Sequence, residues 1–167
     1  MLSEVVKKIS IVGASTVGKT SITTRFVHRF FPDSFLSTVG VNIQHKPLDF
    51  NGKKCSLDVW DIQGENYFDE LMLSYITGSD LYIIVADGTN TNSLDAAQSI
   101  NEGIESHVPK LPFVMFINKS DQKKFWLLDE SHSNYFNSRA LCIFETSAKS
   151  GEGIDEAFAY VLDQTFG

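Results

Sequence analysis

Short apolar runs of strand length alternate along this chain with stretches in which apolar residues recur every three or four positions. Ile9-Ser10-Ile11-Val12 is β-rich and stops at Gly13. Ser21 to Phe30 then reads as a helix, with Ile22, Phe26 and Phe30 at i, i+4 and i+8. Val41 to Phe50 and Cys55 to Trp60 flank Asn51-Gly52, a strong two-residue hairpin signal. Cys55, Leu57 and Val59 alternate with Ser56, Asp58 and Trp60, the pattern of a half-covered strand. Pro47 lacks the N–H that a central strand needs, so the first arm is expected at the sheet margin. Leu81 to Ala86 is apolar throughout, as in a strand buried on both faces. A helix from Ser93 to His107, capped by Asn92 or Ser93, follows. Pro112 to Ile117 and Leu141 to Phe144 read as two further strands, and Ile154 to Gln164 as a last helix with Ile154, Phe158 and Leu162 on one face. The alternation predicts an α/β domain: a six-stranded, mostly parallel sheet with one antiparallel edge strand and helices on both faces. Ligands of such sheets bind beyond the carboxyl ends of the strands, so the loops there carry the chemistry.

Composition narrows the picture further. The 167 residues suit one domain spanning 1–167, and 43% hydrophobic residues can build a core without staples. With 14 basic against 21 acidic residues the net charge is −7, which argues against a nucleic-acid coat. Cys55 and Cys142, the only two cysteines, sit in separate apolar stretches and read as buried thiols of a reducing compartment. No apolar run approaches the roughly 20 residues of a membrane helix. Met1-Leu2-Ser3-Glu4 resembles neither a signal peptide nor a myristoylation site.

Gly13-Ala14-Ser15-Thr16-Val17-Gly18-Lys19-Thr20 matches G-x-x-x-x-G-K-T between strand and helix. Its glycines let successive N–H groups surround phosphate oxygens at a helix N-terminus, with Lys19 on the β- and γ-phosphates and the Thr20 hydroxyl on Mg²⁺. Asp61-Ile62-Gln63-Gly64 follows the second hairpin strand; the Asp can hold Mg²⁺ through water and the Gly can bring its amide to a γ-phosphate. Asn118-Lys119-Ser120-Asp121 closes the next buried strand. A carboxylate there accepts from two adjacent N–H groups, which guanine presents and adenine does not. Glu145-Thr146-Ser147-Ala148-Lys149 can offer backbone amides to an exocyclic oxygen. Taken alone, Asp61–Gly64 is a weak signal, since Asp and Gly are ordinary turn residues, and Asn118–Asp121 reads first as a polar turn.

In this order and spacing the motifs resemble the Ras superfamily of small GTPases over essentially the whole chain. Thr38-Val39-Gly40-Val41-Asn42-Ile43, the Asn51-Gly52-Lys53-Lys54 turn and Leu57-Asp58-Val59-Trp60-Asp61 look most like the Rab branch. The resemblance implies the P-loop small G-protein fold, GTP and GDP as ligands, Mg²⁺ as cofactor, and hydrolysis of GTP to GDP plus phosphate. Phosphates would be held by Gly13, Ser15, Thr16, Val17, Gly18, Lys19, Thr20 and Ser21, and Mg²⁺ by Thr20, Thr38 and Asp61. Thr38 would also meet the γ-phosphate and anchor a first switch. Gly64 would anchor a second, reaching to about Thr77. Phe31, Asn118, Lys119, Asp121, Ser147, Ala148 and Lys149 would enclose the guanine. Lys19, Thr38, Gly64 and Glu65 would surround the reacting phosphate. The γ-phosphate and metal order both switches and their loss releases them. Partners would be effectors, exchange factors and activating proteins acting on a monomer in the cytoplasm, with no nucleic acid. Attachment to the cytosolic face of an endomembrane would need a lipidated tail cysteine; no cysteine follows Cys142 before Phe166-Gly167, so a trimmed tail is expected.

The departures are as informative. The family's second switch reads Asp-x-Ala-Gly-Gln, the Gln orienting the attacking water. Here Gln63 stands at the Ala position and Glu65 at the Gln position. An ionised Glu only accepts hydrogen bonds. Its charge about 5 Å from a phosphate oxygen costs roughly 3 kcal/mol at an effective dielectric of 20, before Mg²⁺ and Lys19 offset it. The side chain is expected to swing outward or raise its pKa, with slow intrinsic turnover favoured over Glu65 acting as an adequate acceptor or as a mere surface residue. Gln63 could contact the phosphate instead. Thr16 replaces the usual Rab Gly, restricting the loop and obstructing an activator's finger.

Other features are read as packing or surface. His28, His45, His107 and His132 share no ligand spacing. Phe30 and Phe35 are read as core or switch packing, Phe125-Trp126-Leu127-Leu128 as core rather than partner site, and Lys123-Lys124 as a solvated pair. Two rival functions remain: a scaffold that binds GTP with little hydrolysis, and an ATP-dependent kinase, the latter disfavoured by the base-side motifs.

Overall fold

The computed structural model describes residues 3–34 and 36–167. Its elements run β1 (Val5–Val12), α1 (Lys19–His28), β2 (Val41–Phe50), β3 (Lys53–Ile62), α2 (Glu70–Ile76), β4 (Leu81–Asp87), α3 (Thr91–His107), β5 (Phe113–Asn118), a 3₁₀ segment (Ser120–Phe125), α4 (Glu130–Asn137), β6 (Ile143–Glu145) and α5 (Ile154–Phe166). Among the described residues the strands form one sheet in the order β2-β3-β1-β4-β5-β6. Only β2 and β3 pair antiparallel; the other neighbours are parallel. The expected architecture is therefore observed, with Pro47 on edge strand β2.

Alternation along the strands builds two cores, because successive side chains leave a strand on opposite faces. From β4, Leu81, Ile83 and Val85 join Ile22 and Phe26 of α1 and Ile154, Phe158 and Val161 of α5 on one face. Phe26 and Phe158 stack there with ring centroids 3.8 Å apart. Tyr82, Ile84 and Ala86 face the other way, toward Met72 and Ile76 of α2, Leu94, Ile100 and Ile104 of α3, and Phe136 of α4. The hairpin turns at Asn51 and Gly52, both at positive φ, as this turn type demands.

Several local expectations are corrected. α1 begins at Lys19 and ends at His28, so Phe30 lies beyond it and is 54% exposed rather than packed. β1 and β3 are longer than their apolar centres, because ladder pairing carries on through Lys7 and Lys8 against Leu57 and Asp58. α3 is capped by Asn90, whose carboxamide accepts from the Ser93 N–H at 3.3 Å, rather than by Asn92 or Ser93. β5 starts at Phe113, one residue past Pro112. The last strand is Ile143–Glu145, not Leu141–Phe144, and leaves Leu141 exposed. α5 continues to Phe166. Helices α2 and α4 were missed. Each is short, but each opens on an Asp-Glu pair whose Asp caps the first turn: Asp69 accepts from Met72 N at 2.7 Å and Asp129 from His132 N at 2.8 Å. Cys55 is buried whereas Cys142 is only half-buried. Phe35 lies outside the described residues, as do Met1 and Leu2 of the start.

Candidate functional site

The loops at the carboxyl ends of β1, β3 and β5, the segment before β2 and the loop after β6 converge on a cleft of about 530 Å³, within the ordinary range for small-molecule sites. Its phosphate side comes from the β1–α1 loop. Gly18 sits at φ +106, and a Cβ there would lie 2.3 Å from Nδ2 of Asn118, so only glycine closes this turn. α1 has no side-chain cap, which leaves its first amides for an anion. Lys19 is buried and donates to the carbonyls of Gly13 at 3.1 Å and Ala14 at 2.7 Å. Burial lowers its pKa to about 8, against the raising pull of Asp61 and Glu65.

Three oxygen-bearing side chains meet below this loop. The Thr20 hydroxyl donates to Asp61 Oδ2 at 2.6 Å and lies 2.8 Å from the Thr38 hydroxyl, itself 3.5 Å from the same carboxylate oxygen. Asp61 is buried at the end of β3, and burial raises its pKa despite hydrogen bonds from Thr20 and Thr38 and the charge of Lys19. Its Oδ1 is buried without a hydrogen-bond partner. Hard oxygen donors around an orphaned carboxylate oxygen fit Mg²⁺. Among the described residues there is no cluster of three or more His, Cys, Asp or Glu suited to a metal.

The base side is tied to the phosphate side through Asn118. Its Nδ2 donates to Val17 O at 2.9 Å, and its Oδ1 accepts from Thr146 Oγ1 and Ala148 N, both at 3.2 Å. Asp121 accepts from Ser147 Oγ at 2.8 Å and otherwise faces the cleft. Lys119 pairs with Asp87 Oδ2 at 2.7 Å. Phe31, Ala148 and Lys149 also border the cleft. Gly13, Val17, Asp61 and Ser147 stand behind the lining and support it. Leu36, Ser37 and Gln122 line the cleft and were not foreseen; no motif marks them, because they arrive through loop geometry.

Glu65 is not a lining residue. Its main-chain N–H donates to Gly13 O at 3.2 Å, and its carboxylate accepts from Gln63 Nε2 at 3.0 Å. Both side chains border a small crevice beside Met72 and Tyr75 of α2. Gln63 Oε1 accepts from Gly40 N at 2.8 Å, while Gln63 N donates to Gly40 O at 2.8 Å, so this carboxamide adds a rung beyond the β2–β3 ladder. Gln63 is thus engaged away from the cleft, not directed into it.

Thr16 is exposed at φ +66, a left-handed conformation unfavourable for a β-branched residue. Thr16→Gly is expected to raise stability by about 1 kcal/mol, strain relief exceeding the added chain entropy. That is an increase of about 2–4 °C in thermal midpoint at fixed nucleotide concentration. A lowered midpoint would show that the threonine is not strained.

These features define a P-loop nucleotide-binding domain of the small G-protein type. The Ras family model matches residues 8–166, and the chain belongs to that family. It is 33% identical over 157 residues to the Ras-related protein Rab-13 of Bos taurus, covering 91% of this chain and 76% of the relative. It is 33% identical over 153 residues to the Ras-related protein Rab-1C of Dictyostelium discoideum, covering 90% and 76%. It is 29% identical over 172 residues to the Ypt/Rab-type GTPase Rab7 of Gibberella zeae, covering 95% and 81%. These similarities place it in the Rab branch of small GTPases.

Proposed function

We propose that this chain is a guanine-nucleotide switch of membrane traffic: a single GTPase domain spanning 1–167 that binds GTP and GDP with Mg²⁺ and hydrolyses GTP slowly. The observation that carries this reading is Asn118, which joins Val17 of the phosphate loop to Ala148 and Thr146 of the base-side loop. One side chain thereby sets the distance between a phosphate subsite and a subsite whose Asp121 accepts the paired N–H groups of guanine.

Gly13, Ser15, Thr16, Val17, Gly18, Lys19, Thr20 and Ser21 hold the phosphates, with Lys19 supplying charge. Thr20, Thr38 and Asp61 hold the metal, which when bound neutralises phosphate charge and polarises the reacting group. Phe31, Lys119, Asp121, Ser147, Ala148 and Lys149 enclose the base. Thr38 and Gly64 belong to the two switches. The slow rate is supported by Glu65, whose carboxylate is held by Gln63 outside the cleft and, as an acceptor only, cannot both orient water and donate to a phosphate oxygen. Partner binding through the switches is supported by Leu36 and Val39 of the first and Tyr67 and Leu71 of the second, all more than half exposed. No helix among the described residues is long and apolar enough to cross a membrane.

A scaffold that binds GTP and does not turn over is the second reading, motivated by the same Glu65. Identifying the co-purified nucleotide and following single-turnover hydrolysis without activator separates them. Slow switching predicts a mixture of GTP and GDP, and at least about a tenfold gain in rate for Glu65→Gln. Wholly retained GTP with no measurable turnover favours the scaffold, and an unchanged rate in the variant refutes the role given to Glu65. Bound ATP would refute the guanine assignment.

A further inference from the structure

Trp126 belongs to no nucleotide motif, yet it is bonded to the base-side loop. Phe125 and Leu127 on either side of it are more than half exposed, while the Trp126 ring turns inward. Its indole Nε1–H donates to the main-chain carbonyl of Lys119 at 3.0 Å. Lys119 stands at φ +69 in the left-handed region, and its carbonyl accepts both from the Trp126 indole and from Gln122 N at 2.9 Å, so the indole fixes it from a second side. The ring lies over Gly88, where a Cβ would come within 2.4 Å of it. Gly88 N donates to Asn118 O at 3.1 Å, and Leu127 N donates to Gly88 O at 2.7 Å. Residues 126–127 therefore strap the end of β4 to the end of β5, and Lys119 closes the loop through its 2.7 Å ion pair with Asp87.

We propose that Trp126 is a positioning residue for guanine recognition. Its N–H and ring hold Lys119 and the Asp87-Gly88 turn, and through them the register of Asn118 and Asp121 across the base subsite. The proposal rests on reading the cleft as a guanine-nucleotide site. Trp126 does not line that cleft, so its effect is exerted through main-chain placement alone. The carboxylate of Asp121 has to meet two adjacent N–H groups at once, a demand that a small loop shift defeats.

The test compares Trp126→Phe, which keeps a ring over Gly88 and removes the N–H, with Gly88→Ala, whose methyl displaces the ring. Dissociation of fluorescently labelled GDP and competition between GDP and IDP are measured on the full chain, with the unfolding midpoint at saturating GDP alongside. IDP lacks the 2-amino group, so the GDP-over-IDP ratio reports the placement of Asp121. Faster GDP release by about fivefold, the scale of one lost hydrogen bond, and a GDP-over-IDP preference reduced by about threefold or more are expected in both variants. A lowered midpoint with an unchanged GDP-over-IDP ratio assigns Trp126 a packing role and overturns the proposal, as does no change in release. Should one variant fail to fold, the other decides. Failure of the wild-type chain to prefer GDP over ADP would instead overturn the underlying guanine reading.

Discussion

Asn118→Ala is expected to lower stability by about 3–5 kcal/mol and to weaken GDP binding by about 100-fold or more. The side chain is buried and satisfies three partners: the carbonyl of Val17, the hydroxyl of Thr146 and the amide of Ala148. Each buried polar group left without a partner costs about 1–3 kcal/mol, and partial relaxation or entering water recovers some of the total. About 3 kcal/mol spent on restoring the loop when ligand binds corresponds to about 100-fold in affinity. Chemical denaturation with and without excess GDP reads the first quantity, and the labelled-nucleotide dissociation constant reads the second. A loss below 1 kcal/mol with affinity intact would mean that the Asn118–Asp121 run is only a polar turn.

Lys19 is expected to make nucleotide binding steeply pH-dependent above neutrality. Burial lowers its pKa from 10.5 to about 8 in the protein without ligand. Bound phosphate supplies the opposite charge that burial lacks and restores the protonated form, so binding takes up a proton as pH rises past 8. Affinity should then fall by up to about tenfold per pH unit between about 8 and 10. The stability of the ligand-free protein moves the other way. Across pH 8 to 10.5 the unfolded chain holds this proton and the folded chain does not, so this group makes the fold more stable as pH rises, by about 3 kcal/mol in total. Below pH 8 the lysine is charged in both states and the full desolvation cost is present. Lys19→Met removes that cost but also the donor to the carbonyls of Gly13 and Ala14, so ligand-free stability at pH 7 should change little, while GTP affinity falls by about 1000-fold through loss of charge-assisted bonds to phosphate. Calorimetry in buffers of different ionisation enthalpy counts the proton directly. A pH-independent affinity from 7 to 9.5 would show that Lys19 is charged without ligand.

The motif residues were legible because they lie at the carboxyl end of a strand or in the loop that carries the chain from it into a helix, where periodicity breaks and a glycine or a short polar residue turns the chain. Asp61 and Asn118 end β3 and β5, Lys119-Ser120-Asp121 follow β5, and Gly18-Lys19-Thr20 opens α1 after the β1 loop. The short helices α2 and α4 were not read, since seven or eight residues give too few turns for a periodic signal and only Asp69 and Asp129 marked them. The Phe125–Leu128 run misled for a related reason. It reads as one apolar block, yet a 3₁₀ turn ending at Phe125 and an extended residue at Trp126 send Trp126 and Leu128 inward and leave Phe125 and Leu127 outside. Lys123 is solvated as read, its side chain 59% exposed, and it also pairs with Glu145 at 2.7 Å, a partner 22 residues away.

The alternation of strands and helices, the phosphate loop, the base-side motifs and the Gln63–Glu65 departure were decided by the amino-acid sequence alone, since they follow from local pattern and residue chemistry. Tertiary structure decided the rest. It turned Glu65 toward Gln63, tied Gln63 to Gly40, brought Asn118 against Val17 across 101 positions, and laid Trp126 over Gly88. Hydrogen bonds of that kind join groups far apart in the chain, and their geometry exists only once the sheet has set the distances between its loops.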